Sequence, residues 1–429
     1  MENSRYTNCA GDLKNCYLIF GAGRAEGCSY SNYITDCYQC VDCFFVLGSN
    51  NCYECIDVEN GNNLLYSLNS KDCYDSVFLY DCRSCHDCIG CVGLRTKAYC
   101  IFNQQLTKEE FSKRKNELLG NRSAILNTKE QFEKLQRAVP RKYIHGDKNE
   151  NVVGDFVWNS RNCFECYDTS NAEDCRYCTW FLDGKDSMDI FSWGEAELCY
   201  EVSGGGEGMY GSLFTGMSYG CRNAYYLDLC VYSKNCFACV GLKNKEFCIL
   251  NKQYSETEYF KLVPELINQM KTFGEWGEFF PALMSPYGYN ESVAQDFHPL
   301  EKDRALELGF KWSDYSSPPP KVARSLPAKS TPGSIAEVTN DILEVALICA
   351  GSQKPFKILK EELAFYRLHQ LPLPTLHPDE RHKQRLQQRN PRQVWKRFCE
   401  RCGNEIFTSY APERPELVYC EPCYLESVY

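Results

Sequence analysis

Polar and apolar residues repeat with a period of three along two long parts of the chain. Between Cys16 and Cys100 all cysteines are separated by multiples of three residues, and apolar runs such as residues 44–47 lie among them. This period matches neither the two-residue repeat of a flat strand nor the 3.6-residue repeat of a helix. Seven cysteines lie in the triplet Asn or Asp, Cys, Tyr or Phe: Cys16, Cys37, Cys43, Cys52, Cys73, Cys163 and Cys236.

These triplets predict frequent turns around a shared interior. Asn and Asp tolerate the left-handed backbone of a tight corner, and cysteine with an aromatic neighbour can fill a core. We therefore predict a mainly β protein containing β-solenoids, parallel β-helix-like blocks of stacked coils, with cysteine as an internal ladder. A chain of independent zinc knuckles is the alternative, but it does not explain the apolar runs.

The solenoid pattern occurs twice. Residues 88–111 align with residues 236–259 with eleven identities in 24 positions, which indicates an internal duplication. In the second copy the three-residue phase shifts by one between Cys199 and Cys221.

A helix is predicted after each copy. Thr107 and Ser255 each precede a glutamate by three residues, the pattern of a capping box at a helix start. We expect these helices over residues 108–119 and 256–272, where they would cap the last coils.

The remaining chain is divided by a proline-rich stretch. The predicted organisation is a Cys-rich solenoid block at 1–120, a helical connection at 121–154, a second solenoid block with its capping helix at 155–315, a Pro-rich linker at 316–334, and a small α/β domain with a basic helix and a zinc ribbon at 335–429.

Composition narrows the class of protein. The 429 residues carry a formal charge of −10, and 29 of them are cysteine, an odd count in a long chain that favours reduced thiols or metal sites over a disulfide scaffold. No apolar run approaches the roughly 20 residues of a membrane span, and no signal sequence is evident. We expect a cytoplasmic protein without a membrane partner. No familiar nucleophile motif is present, so the sequence names no enzymatic reaction.

The clearest candidate site lies near the C-terminus. Cys399 and Cys402 form one CxxC motif, and Cys420 and Cys423 form a second after 17 intervening residues. Two such knuckles separated by a hairpin bring four thiolates around one zinc ion. Four sulfur ligands leave no open position, so we expect one structural Zn²⁺ rather than a catalytic one.

A basic segment precedes these cysteines. Residues 381–401 contain eight basic residues against Glu400 alone, and residues 378–388 are predicted to be helical. A basic helix beside a zinc ribbon suits a phosphate backbone of RNA or DNA, or a protein partner. The alternative is that these side chains pair with the acidic solenoids or form an ordinary solvated face. The basic residues are Arg381, Lys383, Arg385, Arg389, Arg392, Lys396, Arg397 and Arg401.

Two further cysteine groups are weaker metal candidates. Cys349, His377 and His382 are the candidates for a second metal, with a buried free cysteine as the alternative. A CxxCxxCxxC run in the first block approaches the pattern of an iron–sulfur ligand set but lacks the final three-residue gap and the proline. The internal ladder is preferred over an Fe–S cluster or redox role for these residues, which are Cys82, Cys85, Cys88 and Cys91.

Several motifs resemble those of a family of uncharacterised cysteine-rich zinc-ribbon proteins of candidate-phyla bacteria. They are NSRYTN at 3–8, KNCYLIFG at 14–21, CVGL at 91–94, GEWGEFFP at 274–281 and LPLP at 371–374. The resemblance covers nearly the whole chain and implies the zinc-ribbon architecture but no activity. Residues 415–424 separately resemble a widespread small CxxC/CxxC zinc-binding domain.

Two functional hypotheses follow from the sequence. The first is a non-enzymatic zinc-binding scaffold or adaptor, whose ribbon and basic helix contact nucleic acid or a protein partner. The second is a metal-handling or redox protein, in which the solenoid CxxC pairs hold several zinc ions or an Fe–S cluster.

Overall fold

The computed structural model describes residues 1–191 and 194–428. These residues form a mainly β protein in which most strands pair in parallel. No helix among them is both long and apolar enough to cross a lipid bilayer.

The first β region, which we call block 1, comprises residues 1–105. Most of its strands pair in parallel with the segment 12 residues further on, as Tyr17 does with Ser29. The last pair is antiparallel and ends the block. The strands are β1 (Arg5–Lys14), β2 (Tyr17–Glu26), β3 (Ser29–Tyr38), β4 (Phe44–Leu47), β5 (Ile56–Glu59), β6 (Asn62–Leu65), β7 (Leu68–Lys71), β8 (Tyr74–Tyr80), β9 (His86–Val92), β10 (Ala98–Ile101) and β11 (Gln104–Gln105).

Two helices and a short strand follow block 1. α1 (Lys108–Leu119) begins with the capping box at Thr107, so the prediction of this helix is confirmed. α2 (Arg122–Ala138) packs on β8 and β9 and buries Phe132 there. The strand β12 (Arg141–Lys142) comes next.

The second β region, block 2, comprises residues 150–253 and repeats this architecture. Its first strand starts at Glu150, inside the segment predicted as a helical connection. A capping box at Ser255 begins α3 (Glu256–Phe273), which confirms the second predicted helix. The strands are β13 (Glu150–Trp158), β14 (Arg161–Ser170), β15 (Met188–Phe191), β16 (Tyr200–Gly205), β17 (Leu213–Ser218), β18 (Tyr225–Asp228), β19 (Lys234–Val240), β20 (Glu246–Ile249) and β21 (Lys252–Gln253).

A left-handed residue recurs at every third position through most of both blocks. The residue before the cysteine is left-handed in all seven predicted triplets, with φ between 48° and 56°. The next residue points inward, so Cys16, Cys28, Cys40 and Cys52 stack in successive layers and are buried. Twelve residues therefore make one layer with four inward positions, because the chain turns after every three.

The phase shift in block 2 has a local cause. From Phe156 to Gly204, residues with φ between 49° and 67° recur at multiples of three, but Gly208, with φ of 65°, lies four residues after Gly204, so one extra residue lies in this glycine-rich segment. Tyr200 of β16 accordingly pairs with Leu213 of β17 across 13 residues.

The C-terminal part packs against block 1 rather than standing apart from it. Leu347, Leu363 and Tyr366 share one apolar cluster with Phe44 and Tyr53. The elements are α4 (Ala294–Phe297), α5 (Lys302–Glu307), β22 (Arg324–Pro327), β23 (Val345–Ile348), β24 (Pro355–Phe356), α6 (Lys360–Leu368), α7 (Pro378–Leu386), β25 (Trp395–Phe398), β26 (Glu405–Thr408), β27 (Val418–Tyr419) and α8 (Glu421–Val428).

The segment predicted as a linker at 316–334 is partly structured. β22 pairs in parallel with β23, and Ala328 after it is fully buried. Prolines suit an edge strand, which needs fewer backbone donors than a central one. The proline content alone therefore does not show that this segment is an unstructured linker.

Candidate metal centre

Four cysteines converge in residues 395–428, which we call the cysteine module. Cys399 and Cys402 lie in the turn between the antiparallel strands β25 and β26. Cys420 and Cys423 lie where β27 passes into α8. The four sulfur atoms all lie within 4.8 Å of one another.

The cluster has the dimensions of a tetrahedral metal site. Metal–sulfur bonds of about 2.3 Å place the sulfurs of a tetrahedron about 3.8 Å apart. The Sγ atoms of Cys402 and Cys420 are 3.6 Å apart. The cysteine module can therefore hold a metal ion with four thiolates, a ligand set that suits zinc or iron.

The first knuckle also favours the thiolate form. Burial opposes ionisation of Cys399, but hydrogen bonds from backbone N–H groups, with Cys420 and Cys402 foremost, outweigh it and lower the pKa of this thiol to about 6. A left-handed Gly403, with φ of 76°, closes the turn and donates its N–H to the Cys399 carbonyl at 2.8 Å.

The remaining metal candidates are not brought together in this way. Within residues 1–191 and 194–428, the four-cysteine cluster is the only group of three or more His, Cys, Asp or Glu side chains with this spacing. The Sγ of Cys349 instead accepts N–H groups from His377 at 3.2 Å and Gly351 at 3.4 Å. His382 lies 3.1 Å from a carboxylate oxygen of Asp296. Cys349, His377 and His382 therefore do not form a cluster of ligand atoms with the spacing found in the cysteine module.

The CxxCxxCxxC run occupies four inward positions of one layer in block 1. Cys82, Cys85, Cys88 and Cys91 each point into the interior from a different side and are fully buried. They are therefore not a four-sulfur cluster comparable with the one in the cysteine module.

The inward-facing thiols instead form hydrogen bonds with backbone N–H and carbonyl groups. The Sγ of Cys28 donates to the carbonyls of Glu26 at 3.4 Å and Cys37 at 3.6 Å, and accepts the N–H of Cys40 at 3.3 Å. Ser31 makes the same kind of bonds at another inward position, including one from the N–H of Cys43 at 2.9 Å. Burial raises the pKa of the Cys221 thiol to about 11.

The basic segment lies largely inside the protein. Arg381 and Arg385 of α7 are buried and both bind the buried carboxylate of Asp42. Arg385 donates from Nη1 to Asp42 Oδ1 at 2.9 Å and from Nη2 to the carbonyl of Tyr30 at 3.2 Å. Arg381 also donates from Nη1 to the hydroxyl of Tyr366 at 3.2 Å.

The next two arginines join the two blocks. Arg389 donates from Nε to Asp57 of block 1 at 2.9 Å and from Nη2 to Asp168 of block 2 at 2.5 Å. Arg392 donates from Nη2 to the second oxygen of Asp168 at 2.9 Å. Burial raises the pKa of Asp57 to about 6 although Arg389 opposes this shift.

The other four basic residues pair with surface carboxylates. The pairs are Lys383 with Glu380, Lys396 with Glu405, Arg397 with Glu400, and Arg401 with Glu426. Four of the eight basic residues, Arg381, Arg385, Arg389 and Arg392, thus pair with aspartates of the two blocks, and the other four pair with carboxylates of the C-terminal part.

A cavity of about 880 Å³ lies between the two blocks. Lys71 and Arg83 line it from block 1, and Trp158 and Trp180 line it from block 2. α8 of the cysteine module contributes Tyr424 to the lining. The volume falls within the range of small-molecule sites.

Comparisons with known proteins do not assign the chain to a family. No family model matches the chain, and no curated protein shows significant similarity to it.

The aspartates that bind the arginines were not identified from sequence. Asp42, Asp57 and Asp168 all occupy left-handed positions, with φ between 52° and 56°. Asp42 lies in one of the seven triplets, whereas Asp57 and Asp168 do not, and nothing local indicates which corners face the basic segment. Only the packing of α7 and of residues 387–392 against the blocks selects them.

Proposed function

We propose that this protein is a non-enzymatic zinc-binding scaffold, in which two β-solenoids are held together by a C-terminal zinc-ribbon domain. The four-cysteine cluster carries this proposal, because its sulfur atoms lie within 4.8 Å of one another. The 12-residue parallel register of both blocks supports the solenoid assignment.

The zinc in this proposal has a structural role. All four ligands are protein thiolates, so no position remains for water or substrate. The buried apolar residues grouped within the module are few, namely Ile406, Tyr410 and Val418. Folding of so small a module depends on the free energy of metal binding.

For the partner we propose a protein surface in preference to nucleic acid. Arg381, Arg385, Arg389 and Arg392 hold the protein's own carboxylates, so they are withdrawn from any phosphate backbone. If the exposed Lys396 and Arg401 do contact RNA, a K396Q/R401Q variant will bind a generic single-stranded RNA more weakly, with a reduced salt dependence. Salt-sensitive RNA binding by the wild type would favour the nucleic-acid hypothesis.

Metal analysis tests the central proposal. The protein is purified anaerobically, and its metal content and absorption spectrum are measured beside a Cys399→Ser/Cys402→Ser variant. A Cys9→Ser variant, which changes an exposed cysteine outside the cluster, serves as the control. We expect one zinc per chain in the wild type and control, and its loss in the double variant. Absence of metal in the wild type, or additional zinc or iron that survives the double variant, would overturn the proposal.

A further inference from the structure

The cysteine module is attached to the rest of the protein through the strand that carries one of its knuckles. β27 ends at Tyr419, directly before Cys420, and pairs in parallel with β12. The N–H of Arg141 donates to the Leu417 carbonyl at 2.7 Å, and the N–H of Tyr143 donates to the Tyr419 carbonyl at 2.9 Å.

The second knuckle is followed at once by further docking contacts. Tyr424, next to Cys423, donates its hydroxyl to Asp81 of block 1 and accepts from Arg95 Nη2 at 3.3 Å. Glu421 accepts from Lys142 Nζ at 2.6 Å. The residues beside the metal ligands are thus the ones that hold α8 on block 1 and on β12.

The hairpin of the module reaches both blocks. The hydroxyl of Tyr410 lies 3.3 Å from the hydroxyl of Tyr80 in block 1 and 3.3 Å from Nε2 of His145. Ser409 donates to the buried carboxylate of Asp155 in block 2. A segment of about twenty residues therefore bridges β8, β12 and β13.

We propose that the cysteine module is a metal-operated clasp, which docks across the two blocks when its four cysteines bind a metal ion and undocks when the metal is lost. This inference rests on the proposed metal site. Without metal, the turn before α8 is held to the β25–β26 hairpin only by the connecting chain, by polar contacts such as the hydrogen bond from the Glu400 N–H to the Val418 carbonyl at 3.1 Å, and by few apolar contacts.

Undocking would open the cavity between the blocks. Glu421, Tyr424 and Leu425 of the clasp line this cavity together with β12 and residues 144–148. Metal occupancy would thereby control solvent access to the cavity, including the surfaces of Trp158 and Lys71.

Hydrogen exchange of two amides reports directly on the clasp. The amides of Arg141 and Tyr143 are bonded only across the docking strand pair, whereas the amide of Val41 is bonded within block 1 to the Cys52 carbonyl at 2.9 Å. Exchange is followed on the full-length protein, zinc-loaded and after chelation. We expect exchange at Arg141 and Tyr143 to be at least about a hundredfold faster after chelation, with Val41 unchanged.

Two variants separate docking from metal binding. Tyr424→Phe keeps all four cysteines but loses the hydroxyl that binds Asp81 and Arg95, so it should retain zinc while exchange at Arg141 and Tyr143 becomes faster. Glu426→Gln, which changes an exposed carboxylate of the same helix, should leave both unchanged. Equal exchange of the two amides in zinc-loaded and chelated protein would overturn the clasp, whereas failure of the wild type to bind any metal would overturn the proposed function itself.

Discussion

Arg389 is the side chain that links block 1, block 2 and the C-terminal part. Its guanidinium is only 5% exposed and binds Asp57 and Asp168, which come from different blocks. It also lies 3.7 Å from the ring centroid of Phe156. Replacement by methionine keeps much of the volume and the apolar contact, but it removes the positive charge from between two buried carboxylates.

The loss of folding stability in R389M can be estimated from the contacts that remain. Removing one partner of a buried ion pair destabilises a protein by about 3–5 kcal/mol. Asp168 keeps Arg392, so the loss falls mainly on Asp57, which has no other ion-pair partner among those identified. Because burial already raises the pKa of Asp57 to about 6, this carboxyl can take up a proton and limit the penalty. We expect R389M to lose about 3 kcal/mol at pH 8.

The destabilisation caused by R389M should be larger at high pH than at low pH. Loss of Arg389 raises the pKa of Asp57 further above 6, so the folded variant binds a proton that the wild type lacks at pH 8. The difference in stability between wild type and R389M should therefore grow as the pH rises from 5 to 8. Measurement of Tm by calorimetry at both pH values tests this.

Arg24 provides a matched control on the surface of block 1. It pairs with Asp36 across one layer, but the two side chains are 62% and 53% exposed. An exposed pair contributes about 0–1 kcal/mol. R24M should therefore change Tm little at either pH. If R389M and R24M lower Tm equally, or if the R389M effect does not depend on pH, the reasoning about the buried linkage is refuted.

Three further substitutions test other parts of the structure. The interaction with the Asp155 carboxylate outweighs the effect of burial and raises the pKa of His145 to about 9. The stabilisation that protonated His145 contributes is therefore fully present below pH 6.5 and is lost as the pH rises through 9. In H145Q, the decline in Tm between pH 7 and 10 should be shallower than in the wild type. Ser31→Ala leaves the inward N–H of Cys43 without its acceptor and should lower the free energy of unfolding by about 1–3 kcal/mol, measured by chemical denaturation. Ser31→Cys should lower it less, because a thiol can make the same bonds. Gly154→Ala should lower Tm or prevent folding, because its Cβ would collide with a backbone oxygen of the next layer; the same change at Gly11, where a Cβ meets nothing within 4 Å, should have little effect.

The regular part of the fold could be predicted because its information is local. The triplet of Asn or Asp, Cys and an aromatic residue specifies a left-handed corner and an inward side chain within three residues. Asn15, Asp36 and Asn235 all adopt the left-handed backbone that this pattern requires. The capping boxes at Thr107 and Ser255 were equally local and gave correct helix starts.

The role of the basic segment could not be predicted for the opposite reason. Arg381 binds Asp42 across 339 positions of sequence, and charge counting treats both residues as exposed. A desolvated arginine needs a carboxylate close by, but the sequence does not identify which of the 57 acidic residues supplies it. The placement of α7 against block 1 decides this, and it depends on packing of the whole chain.

The interior of the blocks explains why cysteine is so abundant in this chain. The number of cysteines therefore does not indicate the number of metal sites. Several inward-facing residues have an N–H that is outside the parallel ladder, and a thiol or hydroxyl one layer below accepts it, as Cys28 does for Cys40 and Ser31 does for Cys43. Serine makes the shorter bond, but burying a hydroxyl costs more than burying a thiol. Cysteine therefore suits an inward position that must be both apolar and weakly hydrogen-bonding. The four cysteines of the module are under a different constraint, because their sulfur atoms converge on one point.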